Sequence, residues 1–265
     1  MICSRPEPEW DLAEAALLVA AAEYPDLDPR QSLAILDDLG SRAAERMRTP
    51  DPRHRALTLA EFLHEEEGFD GDREEYEDPR NSYLNDVLAR RKGLPILLSL
   101  VYCEVGRRAG VPLIGVGLPG HFIVKVGGPP EMLLDPFNGG LVLTVEDCAV
   151  RIRELYGDTL HFTPEMLEPA TPRGMLTRII RNLKGVYATL HDAERTWRMT
   201  DLILCASPDD VEEIRDRGLL ALKTGRHGLS VDDLEHYLAI RSTADDRDAV
   251  VEALRAARLA IASRN

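Results

Sequence analysis

Residues 93–110, GLPILLSLVYCEVGRRAG, decide the fold of this chain of 265 residues. Pro95 suits the first turn of a helix and Gly110 suits the position just after its end. A helix is therefore predicted from Pro95 to about Ala109. This segment is apolar almost all round, which is typical of a helix buried in a core.

Short strands are predicted after this helix, because the apolar residues now follow a period of two. Glycine and proline separate the strands and form the turns between them. The predicted strands cover residues 113–118, 121–126, 132–135 and 141–143. A buried helix packed against a short antiparallel sheet is an α+β arrangement.

Helices are predicted on both sides of this core. Residues 9 to about 70 carry apolar stripes of helical period, and an acidic loop follows over residues 68–79. The C-terminal third repeats with a period of 34 residues, which is the tetratricopeptide period. We therefore expect one domain over residues 1–168, including the N-terminal helices, and a tetratricopeptide-like helical domain over residues 169–265.

The charge balance bears on the class of partner. The formal net charge is −14, which repels polyanions, so we expect no nucleic-acid partner. The nearest basic group is Arg178, Arg181 and Lys184, whose spacing of three residues is more typical of a solvated helix face than of a binding patch.

Cysteine usage and the absence of targeting patterns indicate a cytoplasmic protein. Cys3, Cys103, Cys148 and Cys205 are widely spaced, which argues against a zinc ribbon and against a disulfide framework. The first residues lack the pattern of a signal peptide, and no apolar run reaches the roughly 20 residues that span a bilayer. The histidines show no metal-ligand spacing and no phosphate-binding loop occurs, so neither metal nor cofactor is expected.

Two polar residues lie within otherwise apolar strands, His121 after a Pro-Gly turn and Asp135 before Pro136. Adjacent antiparallel strands would bring them into contact. A carboxylate bonded to one imidazole nitrogen leaves the other nitrogen to act as a base. The spacing alone also allows a plain reading, in which His121 is a strand-edge histidine and Asp135 forms a turn.

Four motifs give the chain a resemblance to a known family. Residues 76–95 read YEDPRNSYLNDVLARRKGLP, and they are followed by EVGRRAG at 104–110, PGHF at 119–122 and LDPFNGG at 134–140. Together they resemble the SirB1-like family of the transglutaminase-like, papain-related superfamily. The resemblance covers nearly the whole chain and implies tetratricopeptide units behind the core domain.

The resemblance also implies roles for single residues. His121 and Asp135 match the catalytic histidine and aspartate of the superfamily. Its third catalytic member, a cysteine at the start of the preceding helix, would fall at about Leu94 to Ile96, where this chain has no cysteine. At a helix start the dipole would lower the pKa of a thiol, but Pro95 can supply no nucleophile.

Two residues on the same helix face could substitute. Ser99 lies about one turn after this position, and Cys103 lies one turn further. A histidine–aspartate pair can activate a serine, although buried helical serines commonly bond back to a carbonyl group. Cys103 is expected to be a buried structural cysteine, since apolar neighbours raise the pKa of a thiol.

Polar residues before the helix are candidates for lining a ligand cleft, together with Pro95. Asn81 could equally cap a helix, and Arg90 and Arg91 could simply favour a helix dipole. Asn85 lies one turn after Asn81 and could face the cleft.

Three functions remain open at this point. The first is a binding module whose cleft recognises a peptide or small ligand without catalysis, while the tail contacts a partner protein. The second is a residual amide or ester hydrolase or acyl-transferase, which uses His121 and Asp135 with Ser99, Cys103 or water. The third is a scaffold that acts through its tail.

The missing thiol favours binding and scaffold functions, so we do not expect an active transglutaminase or cysteine protease. A protein or peptide partner is expected, without a membrane, and no oligomeric state follows.

Overall fold

The computed structural model describes residues 6–127 and 131–263. Its contacts divide the chain into two units, Met1–Ile179 and Ile180–Asn265. The division falls 11 residues after the boundary at residue 168 that we expected, and it lies inside a helix, since α7 runs from Pro172 to Thr189.

The first unit begins with three helices that use the same capping chemistry. An aspartate stands before each of them, and its side chain accepts a hydrogen bond from a backbone N–H of the first turn. The second and third also have proline in the first turn. These helices are α1 (Leu12–Ala21), α2 (Pro29–Ala44) and α3 (Pro52–Glu61).

Helix α3 continues into a π-helical turn (Phe62–Glu66), and the acidic segment over residues 68–79 is mostly loop, as predicted, but two of its residues form a strand. This strand, β1 (Asp70–Gly71), pairs in parallel with β2 (Lys92–Gly93). Helix α4 (Leu84–Arg90) lies between them in the chain. The pairing fixes the acidic loop to the residues that lead into the central helix.

The central helix has the predicted bounds. Helix α5 (Pro95–Ala109) begins with proline and ends before Gly110, which has the left-handed backbone (φ 71°) that glycine tolerates. Most of its side chains are buried. Because it is covered on nearly all sides, α5 forms the centre of the main core.

A sheet of four antiparallel strands packs on this core. The strands lie side by side in the same order as they occur in the sequence. The strands are β3 (Leu113–Val116), β4 (Ile123–Val126), β5 (Met132–Asp135) and β6 (Leu141–Leu143). Alternate residues face opposite sides. Val124 and Leu134 enter the main core, whereas Ile123 and Leu133 pack with residues of α6 (Val145–Tyr156).

The second unit is helical. After the C-terminal part of α7, it consists of α8 (Ala193–Ala206), α9 (Val211–Lys223), α10 (His227–Ile240) and α11 (Arg247–Ala262). Helix α8 packs against α9, α9 against α10 and α10 against α11, as expected for stacked helical hairpins. The α+β prediction is confirmed. Across the described ranges, none of the helices has both the length and the apolarity needed to cross a bilayer.

Candidate functional site

A histidine and an aspartate meet where β5 ends. His121 Nε2 lies 2.9 Å from Asp135 Oδ2, and both side chains are buried. Asp135 is the last residue of β5, whereas His121 lies two residues before β4 begins at Ile123. The prediction that His121 lies inside the strand was wrong, because the turn extends to His121, whose N–H donates to the carbonyl of Leu118.

The Asp135 carboxylate has three further cationic or hydrogen-bonding neighbours. It accepts hydrogen bonds from the Phe137 backbone N–H at 3.1 Å and from Asn138 Nδ2 at 2.7 Å, and Arg151 Nη2 lies 3.2 Å away. Burial alone would raise the pKa of Asp135, but its interactions with His121, Asn138 and Arg151 lower that pKa below its ordinary value. Asp135 is therefore ionised at neutral pH.

An ionised Asp135 fixes the tautomer of neutral His121. Because a carboxylate only accepts hydrogen bonds, Nε2 carries the proton and Nδ1 keeps its lone pair. Nδ1 can take a proton from a thiol, a hydroxyl group or water, or accept a hydrogen bond from a bound ligand. The arrangement is suited both to base catalysis and to binding.

The start of α5 carries no nucleophilic side chain. Leu94 precedes the helix, and Pro95 and Ile96 are its first two residues. All three are buried, and the Leu94 N–H donates to the carbonyl of Asn81 at 3.0 Å. Neither aliphatic side chains nor proline can attack a carbonyl carbon.

Ser99 is fully buried, and its hydroxyl group lies 3.5 Å from the carbonyl oxygen of Phe122. This is a long hydrogen bond to the residue next to His121. The hydroxyl group thus faces the backbone of the His121 segment rather than bonding back along its own helix.

Cys103 lies at a different part of the domain. It lines a groove of about 480 Å³ together with Glu104, Arg107, Val111 and Leu113. The groove and His121 lie at opposite ends of β4. Leu113, which lines the groove, pairs with Val126, the last residue of β4, whereas His121 lies just before its first residue. Burial, with a smaller effect of Glu104, raises the pKa of the Cys103 thiol to about 12. Cys103 is therefore a protonated thiol outside the histidine–aspartate site.

The remaining cysteines provide no alternative. Cys148 is buried in the packing of α6, and burial raises the pKa of its thiol. Cys205 is exposed on α8 in the second unit. Cys3 lies outside the described residues. Nor do the described residues bring three histidine, cysteine or acidic side chains together as a metal site would.

The polar residues before α5 mainly bind each other. Asn81 Nδ2 donates to the Glu75 carbonyl at 2.6 Å, and Arg90 donates to Asn81 Oδ1 at 2.9 Å and to Asp72 Oδ2 at 3.1 Å. These contacts hold the loop over residues 72–81. None of them involves the histidine–aspartate pair.

The other expected cleft residues also have local environments. Arg91 has a left-handed backbone (φ 61°) and lies 3.4 Å from Glu67, with its guanidinium 4.5 Å from the Phe69 ring centroid. Asn85 is half-buried, and its Oδ1 finds no donor among the described residues. Of the five expected cleft residues, only Pro95 lies at the start of α5.

Comparison with known proteins decides the family. Residues 30–181 match the family described as transglutaminase-like superfamily. The chain belongs to this superfamily. Residues 183–255 match a tetratricopeptide-repeat family, which confirms the predicted repeats. No solved structure gives a significant match.

Similar proteins occur in bacteria and in mammals. The UPF0162 protein of Xylella fastidiosa (strain 9a5c) is 38% identical over 248 residues, which cover 90% of this chain and 87% of that protein. The UPF0162 protein of Vibrio cholerae is 31% identical, over 71% of this chain and 70% of that protein. The human F-box only protein 21 is 30% identical over 57% of this chain, but this match covers 25% of that protein.

Sequence reasoning missed several residues around the transglutaminase-like pair. The Phe137 ring is in edge-to-face contact with the His121 ring, at 6.1 Å between centroids, and with the Tyr76 ring, at 5.9 Å. A Cβ placed on Gly120 would lie 3.2 Å from Tyr156 Oη. Tyr76 and Phe137 were quoted within motifs, but no signal marked Tyr156.

Arg178 is the largest departure from the sequence prediction. Instead of belonging to a solvated helix face, it is half-buried, and its Nη2 donates to the carbonyl groups of Leu118 at 2.8 Å and His121 at 2.7 Å. Its guanidinium also lies 5.4 Å from the Phe122 ring centroid. Arg178 therefore helps to hold the turn that carries the imidazole.

Proposed function

We propose that this protein is a cytoplasmic binding or regulatory protein, whose transglutaminase-like site holds a peptide without cleaving it. In this proposal the tetratricopeptide tail contacts a partner protein. The single observation that carries the proposal is the combination of a fixed His121–Asp135 pair with a helix start made of Leu94, Pro95 and Ile96. The base is in place, but the group it would activate is missing.

The surroundings of the pair suit a peptide. His121 Nδ1 can accept a hydrogen bond from a backbone amide, because Asp135 holds the proton on the other nitrogen. Phe137 and Tyr76 supply aromatic surface beside the imidazole, and Tyr76 is 46% exposed, so it is accessible to a ligand. One directional acceptor beside aromatic surface is a common arrangement at ligand sites.

A binding experiment tests this proposal directly. A pool of hexapeptides with blocked termini is titrated into isotopically labelled full-length protein, and the ring resonances of His121 are followed. We expect saturable shifts and intact peptides after incubation. The shifts should be lost in His121→Ala and retained in Cys103→Ala, since Cys103 lines the separate groove. Absence of any shift at His121 would contradict binding at this site.

Labelling with acyl probes that react with thiols and serines tests the absence of chemistry. We expect no labelling that depends on the imidazole. The matched control is His161→Ala, because His161 is an exposed histidine of the same unit. Labelling that disappears in His121→Ala but persists in His161→Ala would show that the site is catalytic.

The assembled pair itself favours a second candidate, a weak hydrolase in which His121 activates water. Four groups hold or neutralise Asp135, which is more than simple packing requires. Hydrolysis of p-nitrophenyl acetate would then exceed the background rate and fall about a hundredfold in His121→Ala. Equal rates in His121→Ala and His161→Ala would exclude this candidate.

A further inference from the structure

Arg178 differs from the other charged groups near the histidine–aspartate pair. The positive charge of Arg151 lies 3.2 Å from Asp135, and a protonated His121 would face the same carboxylate. Arg178, by contrast, has no acidic partner among the described residues. Its charge is half-buried, and among the described residues it contacts two carbonyl groups and the face of the Phe122 ring but no carboxylate.

An uncompensated buried charge has a cost that a bound anion would remove. Taking a guanidinium out of water is unfavourable unless an opposite charge accompanies it. Burial indeed lowers the pKa of Arg178, and the ionisable groups that oppose this effect are the phenols of Tyr156 and Tyr76. Burial also raises the pKa of Tyr76, so its phenol carries no charge at neutral pH. Among the described residues, therefore, no carboxylate serves as a counter-ion to Arg178.

The remaining hydrogen-bond donors of Arg178 are suited to an anion. Both described bonds start from Nη2, so Nη1 and Nε keep N–H groups for a ligand. Nη1 packs against Gly117, since a Cβ at that position would lie 3.2 Å from it, which leaves Nε as the donor that these contacts do not engage. The phenols of Tyr76 and Tyr156 can donate as well, and both side chains are partly exposed.

We propose that Arg178, with Tyr76 and Tyr156, binds a carboxylate of the peptide held at the His121–Asp135 site. The inference rests on the proposed binding function and names the chemical class of its ligand. Nε or Nη1 can donate one charge-assisted hydrogen bond to a carboxylate, and the Nη2 bond to the His121 carbonyl keeps the guanidinium beside the residue that carries the imidazole. The net charge of −14 disfavours anions, but salt weakens the effect of charges more than about 8 Å away, so the local donors dominate for a small ligand with one negative charge.

Two small probes test the proposal on the full-length protein. N-acetylglycine carries a free carboxylate, and N-acetylglycine amide is the same molecule without the charge. We expect N-acetylglycine to shift the Nε–H resonance of Arg178 saturably and the amide to leave it in place. Affinity should fall about tenfold in Arg178→Gln. The matched control, Arg181→Gln, should bind as the wild type does, because Arg181 already pairs with Asp210 and Glu213.

Arg178→Gln could also disturb the turn that Arg178 holds, so a second variant that leaves the guanidinium in place is needed. Tyr76→Phe removes only a hydroxyl group and leaves the guanidinium in place, and we expect it to weaken N-acetylglycine about threefold. N-acetyl-aspartate with an amidated α-carboxyl group separates the two sources of a carboxylate. Its tighter binding would assign the site to acidic side chains, and tighter binding of N-acetylglycine would assign it to a peptide C-terminus.

The outcomes separate this inference from the proposed function. The carboxylate site would be overturned if N-acetylglycine and its amide bound with equal affinity. It would also be overturned if neither Arg178→Gln nor Tyr76→Phe changed the affinity. In both cases peptide binding at His121 could still be measured. Tighter binding of inorganic phosphate than of either carboxylate would overturn it too. A carboxylate-specific shift without any peptide-induced shift at His121 would support the site and contradict only the peptide-binding function.

Discussion

In the tetratricopeptide tail, Arg217 donates two hydrogen bonds to Asp233, at 2.8 and 2.9 Å, and one to Asp201 at 2.7 Å. In the transglutaminase-like domain, Arg178 donates to two backbone carbonyl groups and to no carboxylate among the described residues. Both side chains are partly withdrawn from water. An arginine whose hydrogen bonds go to carboxylates stabilises the packing of a repeat. An arginine without a carboxylate partner keeps N–H donors for a ligand.

Removing Arg217 tests the matched side of this comparison and should have the largest effect. In Arg217→Leu the carboxylate of Asp233, a buried residue, loses both its hydrogen bonds. We expect the free energy of unfolding to fall by about 4 kcal/mol. Urea unfolding of the full-length chain, followed by circular dichroism, measures the change.

The control for Arg217 is Arg255→Leu in the same tail. Arg255 pairs with Glu252, and both side chains are mainly exposed. Exposed pairs contribute little, so the free energy of unfolding should change by about 0.5 kcal/mol or less. Similar losses of unfolding free energy in Arg217→Leu and Arg255→Leu would mean that burial does not determine how much an arginine ion pair contributes to the stability of this protein.

A pair of glycine variants tests whether close backbone packing holds the turn after β5, next to Asp135. Gly140 has φ 77°, its N–H donates to the Asp135 carbonyl, and a Cβ there would lie 2.5 Å from the Ala60 Cβ. Gly68 has φ 76° but open space around it. We expect Gly140→Ala to cost about 3 kcal/mol and Gly68→Ala about 1 kcal/mol of stability. Equal losses in urea unfolding would show that only the φ angle matters.

Asp135→Asn should cost about 2 kcal/mol of stability at pH 7, because it removes a buried carboxylate with several partners. The folded state lowers the pKa of Asp135, so its contribution is complete above the unfolded pKa of about 3.9 and is lost as pH falls through the lower folded value. The stability difference between wild type and variant should therefore shrink below about pH 4. The exposed Asp158→Asn serves as control, and a difference that persists unchanged at pH 3 would refute the argument.

Local chemistry explains why much of the fold could be predicted. Pro95 and Gly110 define both ends of α5, since each residue type has a conformational preference that acts without tertiary contacts. The sheet could be predicted because its strands are short, apolar and separated by glycine. The contact of His121 with Asp135 was expected from neighbouring antiparallel strands, although the turn before β4 extends two residues further than the pattern indicated.

The rest of the site depends on residues that are distant in the chain. Arg151 and Arg178 come from helices α6 and α7, and helical spacing alone could not distinguish a buried guanidinium from a solvated one. Arg90 and Asn81 both lie in a recognisable sequence motif, but the motif did not show that their side chains form a hydrogen bond with each other. Which polar side chains face a cleft is decided by tertiary packing.

The first residue of α5 has a consequence beyond its missing side-chain nucleophile. Acyl transfer builds negative charge on the carbonyl oxygen, and enzymes stabilise that oxyanion with backbone N–H groups near the attacking atom. Pro95 has no N–H group, and the N–H of Leu94 already donates to Asn81. A single proline at this position thus withholds both a nucleophilic side chain and one backbone donor for the oxyanion, two components of acyl chemistry at once.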